Sequence, residues 1–151
     1  MQENPEAPVA ATLVEQEAAS TPAPPEAANK PLPVAQALDA WDQVMTRAHR
    51  LLREETIDAA WIARLAELEV AIRQLAARDP DVALYVLIEA NGSNMDQYSA
   101  QHAMTCMVIA ELAAEWMEWP AEERRVLALA ALSMNLSITA LQDSLAKQST
   151  S

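Results

Sequence analysis

From residue 34 onward, apolar residues recur at intervals of three and four, the pattern of helix faces and not of strands. Leu38, Trp41, Met45, Ala48 and Leu52 fall along one stripe of a 3.6-residue helix, and Trp61, Leu65, Leu68, Ile72 and Leu75 repeat the rhythm. Between them, Glu54-Glu55-Thr56-Ile57-Asp58 offers Thr56 or Asp58 as an N-cap. Residues 34–79 therefore read as an antiparallel helical hairpin. Stripes this narrow also suit pairing with a second chain as a coiled coil.

Asp79-Pro80-Asp81 then predicts a helix start, because Asp79 can accept from the free N–H groups of a first turn and Pro80 fits where no N–H is needed. Residues 82–90 are almost all apolar, which predicts a short buried helix broken by Asn91-Gly92-Ser93-Asn94. Ser99 or Asp96 can cap a further helix reaching about Glu118, whose Ala100, Ala103, Met104, Cys106, Met107 and Ala110 imply close packing. Pro120 opens another, with Glu122 and Glu123 in its first turn, and its body over residues 126–134 is apolar. Ser137 can cap a last amphipathic piece carrying Ile138, Leu141 and Leu145, before a polar end at residues 148–151. Trp116 and Trp119 are expected to wedge between helices, with a contact surface as the alternative. The fold class is all-α.

Residues 1–33 differ in kind. They hold seven of the nine prolines, and Glu3, Glu6, Glu15, Glu17 and Glu26 are opposed only by Lys30. With so few large apolar side chains, this stretch is expected to remain a disordered tail.

Composition narrows the chemistry. Of 151 residues 52% are hydrophobic, and 22 acidic residues against 10 Lys plus Arg give a net charge of -12, which repels phosphate backbones. Arg47, Arg50 and Arg53 form the densest basic cluster, but Glu54 and Glu55 follow them, so no nucleic-acid partner is expected. A single glycine, Gly92, excludes Rossmann and Walker-type phosphate loops. The N-terminus lacks the features of a secretion signal, and no run of about 20 apolar residues stands out. The expectation is a cytoplasmic chain without a membrane partner.

Candidate catalytic groups are few. Cys106 reads as a small buried hydrophobe without a basic partner nearby in sequence, and His49, among arginines, as a solvent-facing residue. His102, in the first turn of a helix beneath a polar loop, stands where a metal ligand is geometrically reasonable, and equally where a backbone-bonded histidine would sit. Asp96, Glu111, Glu115 and Asp143 are scattered acids, and no serine or threonine has an evident base.

Tyr98-Ser99-Ala100-Gln101-His102-Ala103, followed by a small-residue helix, Pro120-Ala121-Glu122-Glu123 and Leu127-Ala128-Leu129-Ala130-Ala131-Leu132, resembles the opening half of an HD-type metal-dependent phosphohydrolase domain, most closely the HD-GYP kind. The resemblance covers about 50 of the 151 residues. It implies a metal-ligand role for His102, and it puts Met134 and Asn135 where the family carries its His-Asp doublet. A thioether is a poor ligand for iron or manganese, and a neutral amide lacks the charge that offsets two divalent cations.

The resemblance thus implies a helical bundle like the N-terminal half of an HD-type domain, with residues 34–79 as lead-in and residues 80–147 as the partial domain. Its metal site would be degenerate, no cofactor is expected, and a protein partner or self-association is. A link to cyclic di-GMP follows from the resemblance alone. The alternatives are the N-terminal fragment of a phosphodiesterase that uses iron or manganese, and a helical adaptor or dimerisation module. Without further helices, the faces of Met104, Met107, Leu129, Leu132 and Leu136 must be covered by the hairpin or by another copy.

Overall fold

The computed structural model describes residues 30–93 and 95–148. The tail expected over residues 1–33 lies outside the described residues up to position 29, as do residues 149–151. The described residues form six α-helices: α1 (Val34–Leu52), α2 (Ala59–Arg78), α3 (Pro80–Ser93), α4 (Tyr98–Trp116), α5 (Ala121–Ser133) and α6 (Thr139–Gln148). Single 3-10 turns at Met95–Gln97 and Leu136–Ile138 precede α4 and α6. No strand occurs among the described residues, and the fold is all-α.

Local chemistry explains the corners. Asp58 caps α2 by accepting from the Trp61 N–H at 2.7 Å. Asp79 alone joins α2 to α3: a residue before proline is pushed out of helical conformation, so α2 must stop there, and the Asp79 carboxylate accepts from the Val82 N–H at 3.1 Å. The Trp61 indole donates to the Leu51 carbonyl at 2.9 Å, satisfying a helix-end acceptor of α1 and closing the hairpin within the chain.

The buried face of α1 keeps Trp41, Ala48 and Leu52 of the expected stripe but takes in Ala37, Val44 and Leu51 instead of Leu38 and Met45. Leu38 is exposed and Met45 half-buried. The choice follows from α1 packing on α4 as well as on α2, which tertiary packing alone decides.

α4 is the central helix and packs against all five others. Its Ala100, Ala103, Met104, Met107 and Val108 are buried with Leu68, Ile72, Leu87, Ala128 and Leu132 in one core. Met104, Met107 and Leu132 are therefore covered inside the chain, and Leu129 and Leu136 pack partly buried against that core.

Three further expectations are corrected. α3 continues through Asn91 and Gly92, because the Asn91 amide donates to the Leu87 carbonyl at 3.0 Å and to the Thr105 hydroxyl at 2.7 Å. Tyr85 and Ile88 on α3 are exposed, since α3 has neighbours on one side only. α4 stops at Trp116 in a Schellman turn: the Glu118 N–H reaches the Glu115 carbonyl and the Trp119 N–H the Ala114 carbonyl, both at 2.9 Å. That turn leaves Trp116 86% exposed and Trp119 40% exposed, so neither wedges between helices.

Residues Ala121–Gln148, taken together, are long and apolar enough by composition to cross a membrane, a stretch missed in the sequence reading. The chain breaks into α5 and α6 at Met134–Asn135, and helices of 13 and 10 residues are each shorter than the roughly 20 residues a span requires.

The Schellman turn needs the left-handed backbone, and Glu118 holds it with φ 57°. Glycine adopts that conformation without a Cβ clash and a β-branched residue adopts it worst. Glu118→Gly should stabilise the fold by about 0.5–1 kcal/mol and Glu118→Val should destabilise it by about 1 kcal/mol or more. Thermal melts followed by circular dichroism check the order Gly, Glu, Val; a Val variant as stable as the parent would refute it.

Candidate functional site

The first turn of α4 has no capping side chain of its own, with Gln97 at the cap position. Its buried N–H groups still need acceptors. Neither Ser99 nor Asp96 supplies one. Asp143 of α6 does, accepting from the Ser99 N–H at 2.9 Å, while the Ser99 hydroxyl donates to Gln142 Oε1 at 2.8 Å. The second oxygen of Asp143 pairs with Arg53 of the α1 C-terminus at 2.5 Å. One buried carboxylate thus joins α1, α4 and α6. Alongside it, Lys147 bridges to Asp96 at 2.6 Å, and that contact holds the Asp96 carboxyl below the usual carboxylate range.

His49 belongs to this junction and does not face solvent as expected. Its Nδ1 is buried without a hydrogen-bond partner. Burial first, then the Arg53 guanidinium, lowers its pKa from the ordinary imidazole value, against the opposing pull of Asp143 and Asp96.

His102 lies half-buried on the next turn of α4. Tyr98 stacks on its ring with centroids 5.6 Å apart and planes 7° from parallel, and Cys106 Sγ lies 3.7 Å from its Nε2. The thiol does have an imidazole neighbour, then, at a helical spacing of four. Burial nevertheless raises the Cys106 pKa, which keeps the thiol protonated and a poor nucleophile.

Met134 is exposed at the end of α5 and lines an open cleft of about 610 Å³ together with Arg53, Glu54, Glu55, Ser133 and Thr139. Asn135 follows in the turn to α6, where its carbonyl accepts from the Ile138 N–H at 2.9 Å and from the Thr139 hydroxyl at 3.1 Å. His102 is not among the residues of that cleft. Among the described residues, no group of three or more His, Cys, Asp or Glu side chains is placed to hold a metal ion.

The other acids are structural. Glu111, buried on α4, pairs with Arg124 of α5 at 3.3 Å, and Arg124 reaches Glu115 at 3.4 Å, which locks α5 against α4. Glu69, fully buried on α2, pairs with Arg73 one turn on at 3.0 Å. Sequence reading missed Glu69 as a buried residue, although its place beside Leu65, Leu68 and Ile72 was a signal.

At the α4–α5 corner, Trp119, Val126, Leu127 and Ala130 form an apolar groove of about 470 Å³ edged by Glu122 and Glu123. Trp116 and Met117 stand exposed beside it in sequence.

Comparison with known proteins finds no matching family model, no matching curated protein and no matching solved structure.

Two outcomes follow for the polar junction. Asp143→Ala should destabilise the fold by roughly 2 kcal/mol, since it removes a helix cap and the partner of Arg53, whereas Asp143→Asn keeps an acceptor and should lose less. Urea titrations of both variants test this, and equal losses would show that the cap contributes nothing. The depressed His49 pKa means that the unfolded chain binds the proton more readily. The stability so contributed is complete above pH 6.5 and is lost as pH falls below it through the lower folded value. The melting temperature should therefore decline on going from pH 7.5 to 5.5, and His49→Gln should remove most of that decline.

Proposed function

We propose that this chain is a non-enzymatic helical interaction module, built like a degenerate HD-GYP opening half, that acts in signalling by presenting an apolar helix surface to another protein. The observation that carries this reading is the exposed corner of Trp116, Met117, Trp119 and Val126, where Trp116 is 86% and Val126 67% exposed. Soluble domains bury tryptophan when they can, and a grouped set of large exposed apolar side chains marks a contact surface. Tryptophan and methionine are also the residue types that anchor interfaces and adapt to them.

The catalytic alternative has less support. A di-metal hydrolase needs converging donors, while among the described residues no group of three or more His, Cys, Asp or Glu converges and His102 is stacked on Tyr98 beside Cys106. A cyclic dinucleotide carries two phosphate charges, and the cleft beside Met134 offers it Arg53, already paired with Asp143, against Glu54 and Glu55. A protein partner suits the surface better.

The test has two arms. A photo-reactive residue replacing Trp116 should give discrete protein adducts in living cells, and one replacing Ile62, exposed on α2, should not; equal labelling at both sites would sink the interaction reading. Purified chain loaded with manganese or iron should retain neither stoichiometrically. Retention that is lost in His102→Ala would establish the phosphodiesterase alternative instead.

A further inference from the structure

From the groove at the α4–α5 corner we infer that the partner is an amphipathic helix of another protein whose apolar anchors are flanked by Lys or Arg. This rests on the interaction reading above and adds the partner's chemistry. The groove is shallow and open, an uncovered face of α5: Val126 and Ala130 lie one turn apart with Leu127 beside them, and Trp119 of the preceding turn extends the apolar area. An uncovered helix face of this kind suits a second helix, whose anchors one turn apart pack along it side by side.

The rim selects the charge. Glu122 and Glu123 line the groove and Glu118 lies in the turn above, and no ion pair engages any of the three among the described residues. Arg124 is turned inward on Glu111 and Glu115, and Arg125 does not line the groove. An apolar trough edged by unneutralised carboxylates favours cationic flanks, which add on-rate and register to the apolar contact.

The same rim argues against a second copy. A two-fold pairing through this groove would set Glu122 and Glu123 against their own equivalents, in a chain of net charge -12. An anionic membrane surface meets the same repulsion.

Three synthetic helical peptides without tryptophan serve as probes for the full-length chain: a leucine-faced helix with Lys and Arg flanks, the same helix with Glu flanks, and a scrambled basic peptide. Binding is read from the chain's own tryptophan emission. The basic amphipathic helix should bind saturably with a blue shift and should weaken as salt rises. Val126→Ser should weaken it at least about tenfold. Glu122→Lys/Glu123→Lys should do the same and should now accept the Glu-flanked helix, with unchanged circular dichroism in each variant.

Equal affinity for the Glu-flanked or scrambled peptide would overturn this inference. So would a dimer in light scattering that Trp116→Ser dissolves, or a blue shift on phosphatidylcholine vesicles without peptide. If these failures occur while adducts still form at position 116, only the basic-helix partner falls. If the adducts are also missing, the interaction reading falls with it.

Discussion

A helix packed against every other one must satisfy the polar groups of its buried end, and α4 is such a helix. Five others pack around it, and its small and sulfur-bearing residues let them approach closely. The free N–H groups of its first turn are buried, yet the local sequence brings no capping side chain to them. The bundle resolves this with Asp143, which arrives from α6 and carries Arg53 of α1 with it. The position of α6 is thereby coupled to the end of the first hairpin, although 90 residues separate the two partners.

The opposite end of α4 is closed by local means. The Schellman turn satisfies its last carbonyls without outside help, at the cost of a left-handed Glu118. That turn leaves Trp116 exposed just before the chain enters α5. The apolar groove is a product of this corner, and the buried Arg124–Glu111 pair holds its two helices together. The end of α4 that is fastened by tertiary contacts bears the polar junction with His49, and the end that is fastened locally bears the exposed apolar side chains.

How much of the candidate site could be read from the chain depended on the range of the interaction. The caps at Asp58 and Asp79 were legible because acceptor and donor lie three residues apart. The imidazole beside Cys106 is equally local, since His102 lies one helical turn away on the same face. His49 reads as solvent-facing because its own helix surrounds it with arginines, whereas the acids that act on it, Asp143 and Asp96, come from elsewhere in the chain. Met134 and Asn135 gain no metal-binding neighbours among the described residues, and what they line is an open cleft.

Periodicity, caps and proline positions determined on their own that the fold is all-α, where α2, α3 and α5 begin, and that α1 and α2 form a hairpin, because backbone hydrogen bonding and helical spacing act over a few residues. Tertiary structure alone decided which neighbours join Trp41, Ala48 and Leu52 on the buried face of α1, which acid closes α4, and which tryptophans stay exposed. Those outcomes depend on competition for a shared core. Spacing ranks a residue within its own helix, but burial goes to the side chains that neighbouring helices cover, and Trp41 and Trp61 found such neighbours where Trp116 did not.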